Sequence, residues 1–297
     1  MTAVASLREL VDDYDVFLLD QYGVLHNGER LLPGVAEALE SLHRAGKKLV
    51  VLSNTSRRRS VLLAELPSRG FDADWLAGAV CSGEECHREL GTAWRGKRAV
   101  FLGWERDADD AGYLEGTGVR LADVADADCL VAHGPDTILG TAAAVKTGFR
   151  ESGEIGPYLE VLKKAAVRRL PMLVANPDQV TLQGAARQVL YMPGSIADAY
   201  RALGGDVIDF GKPSKALFDA AVDAAEWPTA PRVIHVGDSL KHDVHGARGA
   251  NIDSLFVIET GELVDADGAL RDDTTIAAVA ASYGAPLPTH YCAMFKW

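Results

Sequence analysis

Two short, continuous apolar runs, "DVFLLD" (15–20) and "KKLVVLSNTS" (47–56), constrain the fold more than anything else in the chain. Each has the length of one strand and closes on polar residues. Runs that are apolar at every position, rather than at alternate ones, belong to strands covered on both faces. Between them, "GVAEALESLHRAG" (34–46) places Val35, Leu39 and Leu42 at helical spacing after Pro33 and stops at Gly46. Strand, helix and strand joined by short loops predict a parallel, doubly wound α/β sheet.

The pattern returns near the other end. "VIDFGKPS" (207–214), "ALFDAAVDAAE" (216–226) and "RVIHVGDS" (232–239) read as strand end, helix and strand, followed by a loop and helix through "KHDVHGARGAN" (241–251) and a strand at "DSLFVIETG" (253–261). In open sheets of this kind ligands bind outside the carboxyl ends of the strands. Asp20, Ser53 and Asp238 stand at three such ends, with Lys212 in a nearby loop. The stretch from Ser53 to Lys212 is far longer than a pair of βα units, so a second domain is expected inside it. Its strands and helix are "KRAVFLGW" (97–104), "DCLVAHGP" (128–135), "YLEVLKKAAVRR" (158–169) and "PMLVANPD" (171–178). The expected organisation is a core of residues 1–83 and 194–297 and an inserted α/β domain over 84–193. Past residue 263 the tail carries one helix, "TTIAAVAASYG", and an apolar end, "HYCAMFKW", expected to dock on the core.

Composition narrows the partners. With 42 acidic against 30 basic residues the formal charge is −12, which disfavours nucleic acid and anionic membrane, so any phosphate must be caught locally. There is no long apolar run and no basic leader with an apolar stretch, and a cytoplasmic location is expected. The four cysteines, Cys81, Cys86, Cys129 and Cys292, form no C-x-x-C pair and read as reduced structural thiols.

The crevice has a definite chemistry. Asp20, Asp238 in "GDS" and Asp243 five residues later offer hard oxygen ligands suited to magnesium. Ser53, Asn54 and Lys212 add a hydroxyl, an amide and a positive charge, the groups that hold a phosphoryl. A carboxylate nucleophile forming an aspartyl-phosphate fits this set. Each residue alone has a plainer reading: a strand-end aspartate is often a helix cap, and Lys212 alone would be a surface lysine. Their order along the chain is what joins them.

The chain resembles the haloacid dehalogenase (HAD) superfamily, and within it the class IIA phosphatases (NagD-like, 4-nitrophenylphosphate, phosphoglycolate and pyridoxal-phosphate phosphatases). "DQYGVLHNGERLLPGV" matches the first motif, "VVLSNTSRRRS" the second, "ANPD" with "PGS" the end of the insertion, "GKPSKALFD" the lysine motif and "HVGDSLKHDVHGARGAN" the last acidic motif. The resemblance implies a Rossmann-like core with an inserted C2-type cap that selects the substrate, a small phosphorylated metabolite, and that often mediates homodimers. It implies Asp20 as nucleophile and magnesium ligand, Asp238 as second ligand, Asp243 as a direct or outer-sphere partner of the metal, and Lys212 as the charge joining nucleophile to phosphate. Ser53 and Asn54 would be phosphate donors. Asn176 and Asp178, where the cap returns to the core, would touch the substrate or the hinge, and one arginine of "RRR" (57–59), Arg57 foremost, would steer an anionic substrate.

One position departs from the family pattern. The phosphatases carry D-x-D in the first motif, and the second aspartate protonates the leaving oxygen and later activates water. Here that residue is Tyr22. Its backbone carbonyl would still serve magnesium, but a phenol is a poor base at neutral pH. Tyr22 could hydrogen-bond the leaving oxygen, or His26 could take over the proton transfer, although a plain loop histidine is the simpler reading of His26. Dehalogenases of the superfamily have D-x-Y-G here, since a halide leaves without a proton, but they lack the aspartate of G-D-S that this chain keeps as Asp238. A relative that binds a phospho-ligand without turning it over is the other alternative. "KHDVH" (241–245) could suggest a zinc site but reads better as loop and helix face. "GTAAAVKTG" (140–148) lacks the lysine-serine ending of a nucleotide P-loop.

Overall fold

All four residues of the strand Val16–Leu19 are fully buried, although successive side chains point to opposite faces of a sheet. Such a strand is possible only between two layers of helix. The computed structural model describes residues 1–105, 112–140, 142, 144–184, 188–260 and 273–297, and in it the chain divides into two compact units. The first comprises Met1–Ser53, Ser60–Val80 and Lys212–Trp297, the second Asn54–Arg59 and Cys81–Gly211.

The first unit is built on a seven-stranded sheet in the order Thr2–Ala3, His290–Cys292, Asp253–Val257, Val233–Gly237, Val16–Leu19, Lys48–Ser53 and Gly78–Cys81. Val16–Leu19 pairs in parallel with Lys48–Ser53 on one side and Val233–Gly237 on the other, Leu19 lying opposite both Val51 and Val236. Apart from Thr2–Ala3 at the edge, the chain order runs outward from Val16–Leu19 in both directions, so the sheet reverses between this strand and Val233–Gly237. A crevice opens at the carboxyl ends of strands on either side of such a reversal. Asp20 and Asp238 are the residues that follow those two strands.

The helix Lys215–Asp223 lays Leu217, Phe218 and Ala221 against Val16, Leu18, Val50 and Leu52. The helix Val35–Arg44 buries Val35, Ala38, Leu39 and Leu42, the spacing of one helical face, and packs on Lys48–Ser53. The apolar end of the chain does more than dock: His290–Cys292 joins the sheet beside Asp253–Val257. The helix Asp273–Tyr283 buries Ile276 and Ala280 against Phe256 and Ile258. Among the described residues no helix is long and apolar enough to cross a membrane.

The second unit has its own sheet, ordered Val207–Asp209, Met172–Val174, Cys129–Ala132, Arg98–Gly103, Thr137–Leu139 and Val145–Lys146, with Arg120–Leu121 beside Arg98–Gly103. The first four run parallel and the last two antiparallel to their neighbours. A hairpin, Val180–Gln183 with Gln188–Tyr191, completes it. The helices Gly156–Val167 and Pro193–Ala202 bury Tyr158, Leu162, Ile196, Ala197 and Tyr200 in one core with Met172 and Val174.

Two boundaries differ from those expected. The second unit continues to Gly211 rather than ending at 193, because the helix Pro193–Ala202 packs into its core and Tyr200 Oη donates to the Leu170 carbonyl at 2.6 Å. Val207–Asp209, read from sequence as the first strand of the returning core, forms the edge of this second sheet. At the other boundary the unit takes in Asn54–Arg59, whose Thr55 carbonyl accepts from Gly83 N (3.0 Å) and Ser82 Oγ (3.1 Å), while the Arg57 carbonyl accepts from Cys81 Sγ (3.2 Å). Part of "GTAAAVKTG", residues 141 and 143, lies outside the described residues.

Membership of residues 194–211 in the second unit is open to test. Ile196→Ala should cost about 2–5 kcal/mol, the range for a large-to-small core change. Hydrogen exchange followed by mass spectrometry should show lost protection in Met172–Val174 and Cys129–Ala132. Loss confined to Val16–Leu19 and Val233–Gly237 would place the helix in the other unit.

Candidate active site

Asp20 follows its strand directly, and its N–H donates to the Val236 carbonyl at 2.9 Å, so the ladder holds the residue to the first turn of the crevice. Lys212 is buried, and its Nζ lies 2.7 Å from Asp20 Oδ1 and 2.7 Å from Asp243 Oδ1. A buried ammonium needs such partners, because desolvation of an unpaired charge costs several kcal/mol. Burial pulls the Lys212 pKa down, but Asp20 and Asp243 more than reverse this and hold the ammonium charged.

Asp243 is engaged at both oxygens. Oδ1 meets Lys212 and, at 2.7 Å, His235 Nε2; Oδ2 accepts from the backbone N–H groups of Asp238 (3.2 Å) and Ser239 (3.0 Å). A π-helical turn, Leu240–Val244, carries it back toward the strand end, and Ser239 Oγ caps that turn by accepting from His242 N. Burial alone would raise the Asp243 pKa, but Lys212 and His235 hold it well below the usual carboxylate range. His235 is fully buried in its strand with Nδ1 3.1 Å from the Leu18 carbonyl. Nε2 and a carboxylate oxygen at 2.7 Å must share a proton, so His235 ties Asp243 to the strand that ends in Asp20.

Asp20 stands differently. Burial pushes its carboxyl up, Lys212 pulls it down and Asp243 pushes it up again, leaving it at about 7. One ammonium shared with Asp243 does not offset the burial of this carboxyl. Carboxylate oxygens of Asp20, Asp238 and Asp243 lie within 4.8 Å of one another, a set of hard ligands for a divalent cation. Within this set Asp243 already accepts protein hydrogen bonds at both oxygens. The backbone passes close to Asp238 at Gly23, with φ +77: a Cβ there would sit 2.2 Å from Asp238 Oδ2 and 3.2 Å from the Thr260 carbonyl. Thr260 Oγ1 donates to the Gly23 carbonyl and holds the turn.

Tyr22 does not extend a free phenol. Its hydroxyl donates to the Asn27 carbonyl at 2.8 Å, and its ring stands edge-on to His26 with centroids 5.8 Å apart. The ring also covers Gly28 (φ +94), where a Cβ would approach Cε2 to 3.1 Å. His26, itself buried, accepts from Gly28 N at Nδ1 (3.1 Å) and stands edge-on to Phe71. The turn after Asp20 is thus closed on itself by these two side chains. In this geometry the phenolic proton is given to the Asn27 carbonyl, and the His26 ring belongs to the same turn.

Of the remaining expected residues, Ser53 is buried at the end of its strand in the first unit. Asn54, Asn176 and Asp178 come together in the second: Asn54 Nδ2 donates to Asp178 Oδ1 at 2.8 Å, and Asp178 N to Asn176 Oδ1 at 2.9 Å. Arg57 is half-buried in the Asn54–Arg59 segment. Arg58 beside it is structural, with Nε and Nη2 on the two Glu84 oxygens at 2.8 and 3.0 Å. His235 was not singled out in the sequence; its signal was a histidine inside an otherwise apolar strand, two residues before "GDS".

Comparison with known proteins places this geometry. A family profile described as haloacid dehalogenase-like hydrolase matches residues 17–119, and one described as HAD-hydrolase-like matches 209–282. The chain is 30% identical to human chronophin over 251 residues, 81% of this chain and 79% of the relative. It is similar to the crystal structure of a haloacid dehalogenase-like family hydrolase from Brucella suis 1330, with a TM-score of 0.79, 23% identity and coverage of 98% of this chain and 99% of the other. A glycerol phosphate phosphatase of Mycobacterium tuberculosis, solved in complex with magnesium, matches with a TM-score of 0.64 and 24% identity over 98% of this chain and 78% of that one. The two profiles lie on the two sequence segments that supply Asp20 and Lys212 with Asp238, and the chain belongs to the haloacid dehalogenase-like hydrolase family.

Proposed function

We propose that the chain is a magnesium-dependent phosphoric monoester hydrolase that acts on a small phosphorylated metabolite through an aspartyl-phosphate at Asp20. The observation that carries this reading is the buried ammonium of Lys212 held 2.7 Å from Asp20 Oδ1, at the point where the sheet order reverses. An oxygen of Asp20 is thereby fixed at the mouth of the crevice beside a positive charge, as nucleophilic attack on a phosphorus atom requires. The named relative of M. tuberculosis supports both the phosphatase reading and the choice of magnesium.

Magnesium, when bound, would be held by Asp20, Asp238 and the Tyr22 backbone carbonyl, and would supply charge to neutralise the phosphoryl oxygens. The protein's own groups do the rest. Lys212 holds Asp20 in line and draws the phosphoryl oxygens toward it. Asp243, anchored by His235 and two backbone N–H groups, fixes Lys212 and the 238–239 loop. Asp20 Oδ forms a bond to phosphorus as the ester oxygen departs; water then attacks the same phosphorus and restores the carboxylate. Ser53 is the phosphate hydroxyl of the first unit. Asn54 and Arg57 keep the phosphate and steering roles read from sequence, and Asn176 and Asp178 order Asn54 through the bonds described above. The commitment of the Tyr22 hydroxyl favours one second reading, a relative that keeps the metal and phosphate sites but turns over negligibly.

Assays of released phosphate with and without magnesium, on wild type, Asp20→Asn and Tyr22→Asp, separate these readings. Wild type should turn over only with magnesium, and Asp20→Asn should lose at least about 10³-fold in kcat. Unchanged activity in Asp20→Asn would overturn the mechanism, and an inert wild type with an active Tyr22→Asp would establish the binder.

The position of the Asp20 carboxyl at about 7 gives a pH signature. A raised carboxyl holds its proton below that value, and the proton competes with the cation. Calorimetric titration with magnesium should show the binding constant level above pH of about 7 and falling toward about tenfold per unit below it. A flat profile down to pH of about 5 would show that Asp20 is not a ligand.

A further inference from the structure

Among the described residues of the first unit, the titratable side chains of the turn and strand ends around Asp20 are engaged elsewhere. Tyr22 Oη donates to the Asn27 carbonyl at 2.8 Å. His26 uses Nδ1 as the acceptor of Gly28 N–H, which places its proton on Nε2, and a neutral imidazole is a far weaker acid toward a departing alkoxide than an imidazolium. Lys212 Nζ lies between the Asp20 and Asp243 carboxylates, and the ring of His235 is fully buried between Leu18 and Asp243. Gln21, buried beside Asp20, offers amide N–H groups that can donate a hydrogen bond but not a proton. Among the described residues of this unit the site therefore holds nucleophile, lysine and metal ligands without a placed general acid.

From this geometry we infer that the chain is selective for phosphate compounds whose leaving group departs as a stable anion, namely aryl, enol and acyl phosphates, and discriminates against alkyl phosphates. The inference rests on the phosphatase reading above and deepens it. In the first step Asp20 Oδ bonds to phosphorus while the bond from phosphorus to the leaving oxygen breaks. The electron pair leaves on that oxygen as phenolate, enolate or carboxylate, and an alcohol would have to leave as alkoxide. In the second step water attacks the aspartyl-phosphate, the carboxylate of Asp20 departs without needing a proton, and the proton of the water passes to the released phosphate. This second step is common to every substrate. Selectivity therefore lies in kcat/KM, which reports the first step, while kcat for the best substrates converges on one value. The Tyr22–Asn27 bond, with its ring over Gly28, makes the selectivity a property of this turn.

The test is a leaving-group series at saturating magnesium: 4-nitrophenyl phosphate, phenyl phosphate and ring-substituted relatives, acetyl phosphate, and glycerol phosphate as the alkyl member. For wild type, kcat/KM should fall at least about fivefold for each unit rise in leaving-group pKa. Tyr22→Phe should keep this slope, whatever it does to the absolute rate, since the hydroxyl gives no proton to the substrate. Tyr22→Asp should flatten it, raising kcat/KM for glycerol phosphate relative to 4-nitrophenyl phosphate by about 10²–10⁴-fold. A flat wild-type slope, or a slope that steepens in Tyr22→Phe, would show a working acid and overturn the inference while leaving the phosphatase reading intact. Failure to hydrolyse any member, acetyl phosphate included, would overturn both.

Discussion

A buried ammonium between two buried carboxylates is the interaction on which the rest of the site depends. Lys212 has no solvent to stabilise it, so its charge requires Asp20 and Asp243 on either side at 2.7 Å. Removing one partner of such a group typically costs about 3–5 kcal/mol, because the remaining charge is left unpaired in a poor solvent. The two carboxylates divide the work unequally. Asp243 receives Lys212, His235 and two backbone N–H groups and stays ionised as a fixed support. Asp20 shares one ammonium with a better-supplied neighbour and stays short of positive charge. That shortage suits the two roles proposed for it, nucleophile and cation ligand.

The sheet makes this arrangement possible without strain in the strands. Val16–Leu19 and Val233–Gly237 are adjacent and parallel, so Asp20 and Asp238 leave the sheet side by side at its reversal point. His235 and Leu18 lie opposite each other in register, which is why one imidazole can bridge the two strand ends. The backbone must then pass close to Asp238, and Gly23 with its positive φ is what allows it. Beyond that glycine, Tyr22, His26, Asn27 and Gly28 close a turn of their own. In this chain the residue two after Asp20 is a builder of that turn.

Much of the core was legible because burial on both faces leaves a plain mark. "DVFLLD" is apolar up to its closing carboxylate and "RVIHVGDS" is apolar in its strand but for His235, so Asp20 and Asp238 could be placed at strand ends from sequence. Lys212 was legible only through its order among the other residues, since nothing local distinguishes it from a surface lysine. The limit of the inserted unit was misread because Val207–Asp209 is a three-residue strand beside glycines, and its pairing with Met172–Val174 is a long-range fact. His235 was passed over because its partners, the Leu18 carbonyl and Asp243, come from two other parts of the chain. The direction of the Tyr22 hydroxyl was equally hidden, as it depends on the path of the turn through Asn27 rather than on any spacing.

In the proposed mechanism Asp20 attacks phosphorus and carries the phosphoryl group. The most direct measurement is chemical capture of that bond: quench the enzyme in acid during turnover of an aryl phosphate, reduce it with borohydride and map the peptides by mass spectrometry. An aspartyl-phosphate is reduced to homoserine, and the account requires homoserine at position 20 and at no other aspartate. Turnover with Asp20 recovered unmodified, or homoserine at Asp238 or Asp243, would contradict it.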